Sequence, residues 1–214
     1  MLAADFAQLG REIAQLEEAG AQVLHLDIMD GHFVPNLSFG LPVLEAIRRS
    51  TDLPLDVHLM IAEPGRYLKA FRDAGADLLT IHIEAVEEPP ALFEEIRSLG
   101  AGVGLSLNPP TPLTTIEPYV SECDLILVMS VMPGFGGQAF QEIALEKLQR
   151  LRELTGNGTL LSVDGGVNPE TIFRCAQAGA NYFVTGTALL GHADYRTRME
   201  QLLTQARSGA NVQV

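Results

Sequence analysis

Four times along the chain an amphipathic stretch ends in one small punctuation and gives way to a β-rich run: Ala19-Gly20-Ala21, Ala74-Gly75-Ala76, Leu99-Gly100-Ala101 and Ala178-Gly179-Ala180. A glycine just past a helix end enters the left-handed cap at no steric cost, so each of these marks a helix-to-strand turn. Strands are predicted over residues 23–27, 55–60, 78–82, 103–107, 125–130, 160–164 and 182–185. Helices are predicted over 41–49, 64–74, 90–99, 113–120, 139–154, 169–178 and 195–207, with Pro64, Pro90 and Pro169 as first-turn residues. Strand alternating with helix at near-regular spacing implies parallel βαβ units. Hydrophobic content of 47% against 19% charged residues agrees, because a parallel sheet covered on both faces reads as near-continuous apolar runs. No composition shift marks a second domain, so residues 1–214 are read as one.

An open doubly wound sheet and a closed eight-fold barrel both satisfy that alternation. Polar residues decide for the α/β (β/α)8 TIM barrel, because they fall at the ends of many strands and not at one switch point. A further helix over residues 5–19 opens with Asp5 and, three residues on, Gln8, a capping signature. Only Met1 to Ala4 precede it, which makes eight helices against seven strands. The first β-strand of the barrel is therefore expected to be missing from this chain. A natural start further upstream is the favoured origin. The alternatives for the resulting structure are a puckered barrel and a gap filled by another segment, such as one from a neighbouring chain.

The chemistry collects at the strand ends. Residues two apart on a strand share a face, so His25 goes with Asp27 and Met29, and Asp56 with His58 and Met60. A lone strand histidine is usually a satisfied core residue. Two histidines and a carboxylate recurring at strand ends, joined by Asp164 at another, are better read as one metal site, since buried ionisable groups are costly unless paired or coordinated. Imidazole and carboxylate together suit a divalent transition ion. His82 with Glu84, and Asp56, are ranked as supporting or structural groups. Between the ligands runs Pro133-Gly-Phe-Gly-Gly137, and the next two strands close in Asp164-Gly165-Gly166 and Gly186-Thr187. Tight turns use glycine anyway, but three glycine-bearing strand ends in succession supply backbone N–H groups for a phosphate.

A net charge of −13 excludes the basic stripe of a nucleic-acid binder and any attraction to anionic membranes. No apolar run is long enough to span a bilayer, and Met1-Leu-Ala-Ala-Asp-Phe6 lacks the features of a secretory leader. Cys123 and Cys175 stand far apart without a metal-binding spacing, as reduced thiols do. A cytoplasmic protein is expected.

The motifs His25-Leu-Asp-Ile-Met-Asp-Gly-His-Phe-Val-Pro-Asn36, Asp56-Val-His-Leu-Met60, Val128-Met-Ser-Val-Met-Pro-Gly-Phe-Gly-Gly-Gln138 and Val163-Asp-Gly-Gly-Val-Asn168 closely resemble the ribulose-phosphate 3-epimerase family. The resemblance runs from Leu2 over essentially the whole chain. It implies a (β/α)8 barrel that inverts C3 between ribulose 5-phosphate and xylulose 5-phosphate with one divalent metal ion per chain (Zn, Fe, Mn or Co). It further implies His25, Asp27, His58 and Asp164 as metal ligands, Asp27 and Asp164 doubling as the acid/base pair. Gly134, Phe135, Gly136, Gly137, Gly165, Gly166, Gly186 and Thr187 would bind the phosphate, and Met29, Met60 and Met129 would wall the reacting carbons. The loop after Ser130 is expected to act as a lid, and related proteins assemble as dimers or hexamers, so a homo-oligomer is expected. The chain departs from the family at its start, where the first strand and its substrate-contacting serine are missing. Smaller departures are Ala3 for a serine of some members, Met132 for a frequent asparagine, and Thr187 for serine. A hexulose-phosphate 3-epimerase acting on allulose 6-phosphate, and a phosphate-binding barrel impaired by loss of strand 1, are the rival readings.

Overall fold

The computed structural model describes residues 1–156 and 158–211; Asn157 and residues 212–214, which the expected single-domain span includes, lie outside the described residues. Among the described residues seven parallel strands form one sheet in strict chain order: β1 (Leu24–Met29), β2 (Leu55–Met60), β3 (Leu78–His82), β4 (Gly102–Leu107), β5 (Leu125–Met129), β6 (Leu160–Asp164) and β7 (Tyr182–Phe183). Sequential order without reversal is what repeated right-handed βαβ crossovers produce. The helices are α1 (Leu9–Glu18), α2 (Leu41–Ser50), α3 (Leu68–Asp73), α4 (Pro89–Ser98), α5 (Ile143–Thr155), α6 (Pro169–Gln177), α7 (Thr187–Leu190) and α8 (Tyr195–Ala210). Strands β1 and β2 are buried at every position, the expected result of packing on both faces. All four punctuating glycines, Gly20, Gly75, Gly100 and Gly179, have positive φ. At the first of them, Gly20 N–H donates to Glu17 O and Ala21 N–H to Leu16 O, satisfying carbonyls that the end of α1 would leave bare.

Several predicted boundaries shift for local reasons. Residues 113–120 form no α-helix but two 3-10 segments, Leu113–Thr115 and Glu117–Glu122, because Pro118 lacks an N–H and disfavours the α conformation in Glu117. The helix expected over 64–74 opens as a 3-10 turn, Pro64–Arg66, before α3. The first helix likewise opens with a 3-10 turn, Phe6–Gln8, capped by Asp5, whose carboxylate accepts from Ala7 N–H. Residues 139–142 stay outside α5, with Gln141 N–H donating to Ser130 O. The last strand is cut to two residues, and α7 follows it unforeseen.

Among the described residues no strand pairs with the outer edge of β1 or of β7. Between those edges lies a cavity of about 320 Å³, lined on one side by Leu24 and His25 and on the other by Tyr182 and Phe183. Met1 enters it, its amino group donating to His25 O at 2.6 Å. Outside this seam the helices do meet: Tyr195 of α8 donates its hydroxyl to Glu12 of α1 at 2.6 Å. Gly209 of α8 lets that helix press against the Phe173 carbonyl of α6, where a Cβ would collide.

Candidate active site

The pairing of β1 with β2 sets His25 beside Asp56, Asp27 beside His58 and Met29 beside Met60. Two-residue alternation then sends one set of these side chains toward the strand ends on a common face. Asp164, the last residue of β6, sits beside Met129 of β5. The four groups expected as ligands come together: one donor atom each from His25, Asp27, His58 and Asp164 lies within 4.8 Å of the others. Nε2 of His25 and Nδ1 of His58 each stand 3.3 Å from Oδ1 of Asp27. That is long for a charge-assisted hydrogen bond, yet two donors at about 2.0–2.1 Å from one tetrahedral ion are roughly 3.3 Å apart. Nε2 of His25 is also buried without a hydrogen-bond partner, a state that costs about 1–3 kcal/mol unless something binds it. The residues therefore fit a divalent ion.

Each imidazole is held from behind. Nδ1 of His25 lies 2.7 Å from Oδ2 of Asp56. Asp56, itself buried, accepts the Thr80 hydroxyl at 3.2 Å and the Tyr182 hydroxyl at 3.1 Å. On the other side, Nε2 of His58 lies 2.8 Å from Nε2 of His82, whose Nδ1 is 3.1 Å from Glu84. Asp56, His82 and Glu84 thus take the supporting places assigned to them.

The charges are strongly biased. Burial opposes a positive His25, but Asp56 and Asp27 outweigh it and hold its imidazole well above the usual value. Burial likewise opposes ionised Asp27, and His25 above all overcomes it, keeping that carboxyl well below the ordinary range. Asp164 goes the other way, pushed up by burial and by the charge on Asp27. Burial lowers His82 to about 4, against the pull of Glu84.

This cluster opens into a cavity of about 560 Å³. Asp27, Asp164 and the three methionines line it, together with Gly134, Phe135, Gly136, Gly137, Gly165, Gly166, Gly186 and Thr187, while His25 and His58 stand behind. Gly165 and Gly166 have φ of +106° and +61°; a Cβ on Gly165 would come within 2.5 Å of Val131 Cγ2 and one on Gly166 within 3.1 Å of Phe140 N. Only glycine brings the backbone so close to this wall.

The ribulose-phosphate 3-epimerase family model matches residues 1–190. The ribulose-phosphate 3-epimerase of Bacillus subtilis is 45% identical over 206 residues, covering 94% of this chain and 95% of its own. The chloroplastic ribulose-5-phosphate-3-epimerase of Arabidopsis thaliana is 43% identical over 98% of this chain and 76% of its own. The chain belongs to the ribulose-phosphate 3-epimerase family. Two solved structures share the fold at low identity. A 3-hexulose-6-phosphate synthase superposes with a TM-score of 0.70 at 21% identity over 95% of this chain and 97% of its own. KGPDC from Streptococcus mutans gives a TM-score of 0.74 at 14% identity over 96% of this chain and 94% of its own. This family member therefore has an α/β fold of the TIM-barrel type, with seven parallel strands among its described residues.

Several residues of this ribulose-phosphate 3-epimerase relative were not foreseen at the site. Arg198 of α8 lines the glycine-rich end of the cavity, its Nε donating to Ala188 O at 2.7 Å. One arginine among three on α8 carries no sequence signal, so only packing finds it. Met1, Leu2 and Ala3 also line the cavity. Asn36, the end of the first motif, donates to Gly134 O at 2.6 Å and so ties the β1–α2 loop to the expected lid. Asp30 shapes that loop by accepting from the N–H groups of His32, Phe33 and Ala62.

Proposed function

We propose that this chain inverts C3 of D-ribulose 5-phosphate to give D-xylulose 5-phosphate, with Asp27 and Asp164 as the two acid/base groups. The observation that carries the reading is the convergence of the His25, Asp27, His58 and Asp164 donors on a glycine-walled cavity. His25, Asp27, His58 and Asp164 would hold one divalent ion, Zn, Fe, Mn or Co. When bound, it supplies Lewis-acid polarisation of the substrate carbonyl. Asp27 takes the C3 proton from one face of the sugar and Asp164 returns one to the other, which inverts the centre. Met29, Met60 and Met129 exclude water from the planar intermediate and offer no competing proton. Backbone N–H groups around Gly134, Phe135, Gly136, Gly137, Gly165, Gly166, Gly186 and Thr187 orient the phosphate. In a chain of net charge −13 this local cradle, with Arg198 at its rim, does what the overall field cannot.

We further infer that residues 1–214 act as one catalytic domain of (β/α)8 type, with the place of a first strand between β7 and β1. The seam cavity, and the strand edges beside it that no other strand pairs, support this. Leu37, 73% exposed, and Phe6, 44% exposed, are apolar surface that a homo-oligomer would cover. The buried thiols and the acidic surface favour a cytosolic site of action without nucleic-acid or membrane partners.

The test is exchange of the C3 proton in deuterium oxide, run on ribulose 5-phosphate with zinc, iron, manganese or cobalt added. Xylulose 5-phosphate carrying deuterium at C3, and one ion per chain by elemental analysis, are expected. Absence of exchange with all four metals would sink the proposal, and a metal-free preparation with full activity would refute the ion's part in it.

A further inference from the structure

The ligand atom that His58 offers is decided two residues away from the cluster. Nδ1 of His58 faces Asp27 Oδ1, and its other nitrogen, Nε2, lies 2.8 Å from Nε2 of His82. The two rings are 24° from parallel with centroids 4.9 Å apart. At that separation one of the facing nitrogens carries a proton and the other does not, because two lone pairs or two N–H groups would repel. Nδ1 of His82 lies 3.1 Å from Oε2 of Glu84. Oε1 of Glu84 is already occupied: it accepts from Asn108 N–H at 2.7 Å and from the Thr111 hydroxyl. Lys147 of α5 holds the loop that carries these donors, reaching the carbonyls of Asn108, Pro109 and Thr111 at 2.8, 2.9 and 2.7 Å.

We propose that Glu84, acting through His82, is a positioning residue that fixes the tautomer of His58. An ionised carboxylate only accepts, so His82 donates from Nδ1 and accepts at Nε2. His58 must then donate from Nε2 across 2.8 Å, while its Nδ1, 3.3 Å from Asp27 Oδ1 and beyond normal hydrogen-bond distance, is left as a bare lone pair aimed at the cluster. The alternative assignment needs an imidazolium at His82, which has no exposed surface. The inference rests on His58 being a ligand; the tautomer itself does not.

The experiment is imidazole nitrogen NMR on the full chain, labelled with nitrogen-15 and stripped of metal by chelation, followed by zinc titration against a competing chelator. In the wild type, His58 is expected to carry its proton on Nε2 and His82 on Nδ1. In Glu84→Gln the amide oxygen keeps Asn108 and Thr111, so its NH₂ group faces His82 Nδ1. The protons then shift along the relay: His82 carries Nε2–H, His58 carries Nδ1–H, and zinc binds about 10–100-fold more weakly. His25, supported separately by Asp56, keeps its protonation state in both proteins and serves as the internal control. A wild-type His58 protonated on Nδ1, or a His58 tautomer unchanged in Glu84→Gln, overturns the relay. The expected tautomers in a wild type that binds no zinc would support the relay while refuting His58 as a ligand.

Discussion

Asp27 and Asp164 stand on β1 and β6, strands that never pair, and still bring their carboxylates into one cluster within 4.8 Å. Both line the same cavity, so a sugar seated there meets a carboxylate from each strand. Replacing either by asparagine keeps the shape and removes the proton acceptor. Asp27→Asn and Asp164→Asn are each expected to cut kcat by at least about 10²–10⁴-fold, the usual worth of a positioned acid or base. Stopped turnover with the thermal midpoint retained is the expected pattern. Substantial kcat in either variant would overturn the two-base scheme.

How far the site could be read without a structure follows from the range of each interaction. His25, Asp27, His58 and Asp164 were legible because strand alternation is local, and pairing in register then brings alternate positions together. Met29 and Met60 share that spacing, whereas Met129 came only from the family resemblance. Tyr182, by contrast, reaches Asp56 across 126 residues, and nothing near either position announces it. Arg198 enters the cavity only because α8 packs over the segment ending in Ala188. The helix expected over 113–120 failed at one residue, Pro118, where apolar spacing outvoted a missing N–H.

A glycine outside the cavity supports the metal cluster at one remove. Gly104 of β4 faces Thr80 of β3 across the sheet. A Cβ there would lie 2.9 Å from Thr80 Cα and closer still to its hydroxyl. That hydroxyl donates to Asp56, which in turn holds His25. Gly104→Ala is therefore expected to destabilise the fold by about 1–3 kcal/mol, the usual cost of overpacking, and to weaken zinc binding as well. Urea denaturation and chelator competition measure the two effects. A stability loss with unchanged zinc affinity would break the link from Thr80 to His25.

The thiols of Cys123 and Cys175 are both pushed up to about 12, by burial above all. Since the thiolate is the reactive form, neither should react with an aromatic disulfide reagent at pH 8 within minutes in the folded chain. Both should titrate at once in denaturant. A stoichiometric fast reaction of the native protein would contradict their burial.

Glu84 sets an acid limit on stability. Burial opposes its charge, but His82, the Asn108 N–H and Thr111 more than compensate, bringing it from 4.5 down to about 2. Between those values the unfolded chain binds the proton and the folded chain does not, so stability rises with pH through that window. The contribution is complete above about pH 4.5 and disappears as pH falls toward 2. Glu84→Gln has no such proton to lose. Its stability deficit against the wild type should therefore be larger at pH 5 than at pH 2.5, as read from urea midpoints at each pH. The difference between the two proteins cancels every other carboxylate, which titrates in both, and reports Glu84 together with its partner His82, itself held near 4. Curves that run parallel across the window would mean that the Glu84 carboxylate gains nothing from its three partners in the folded state.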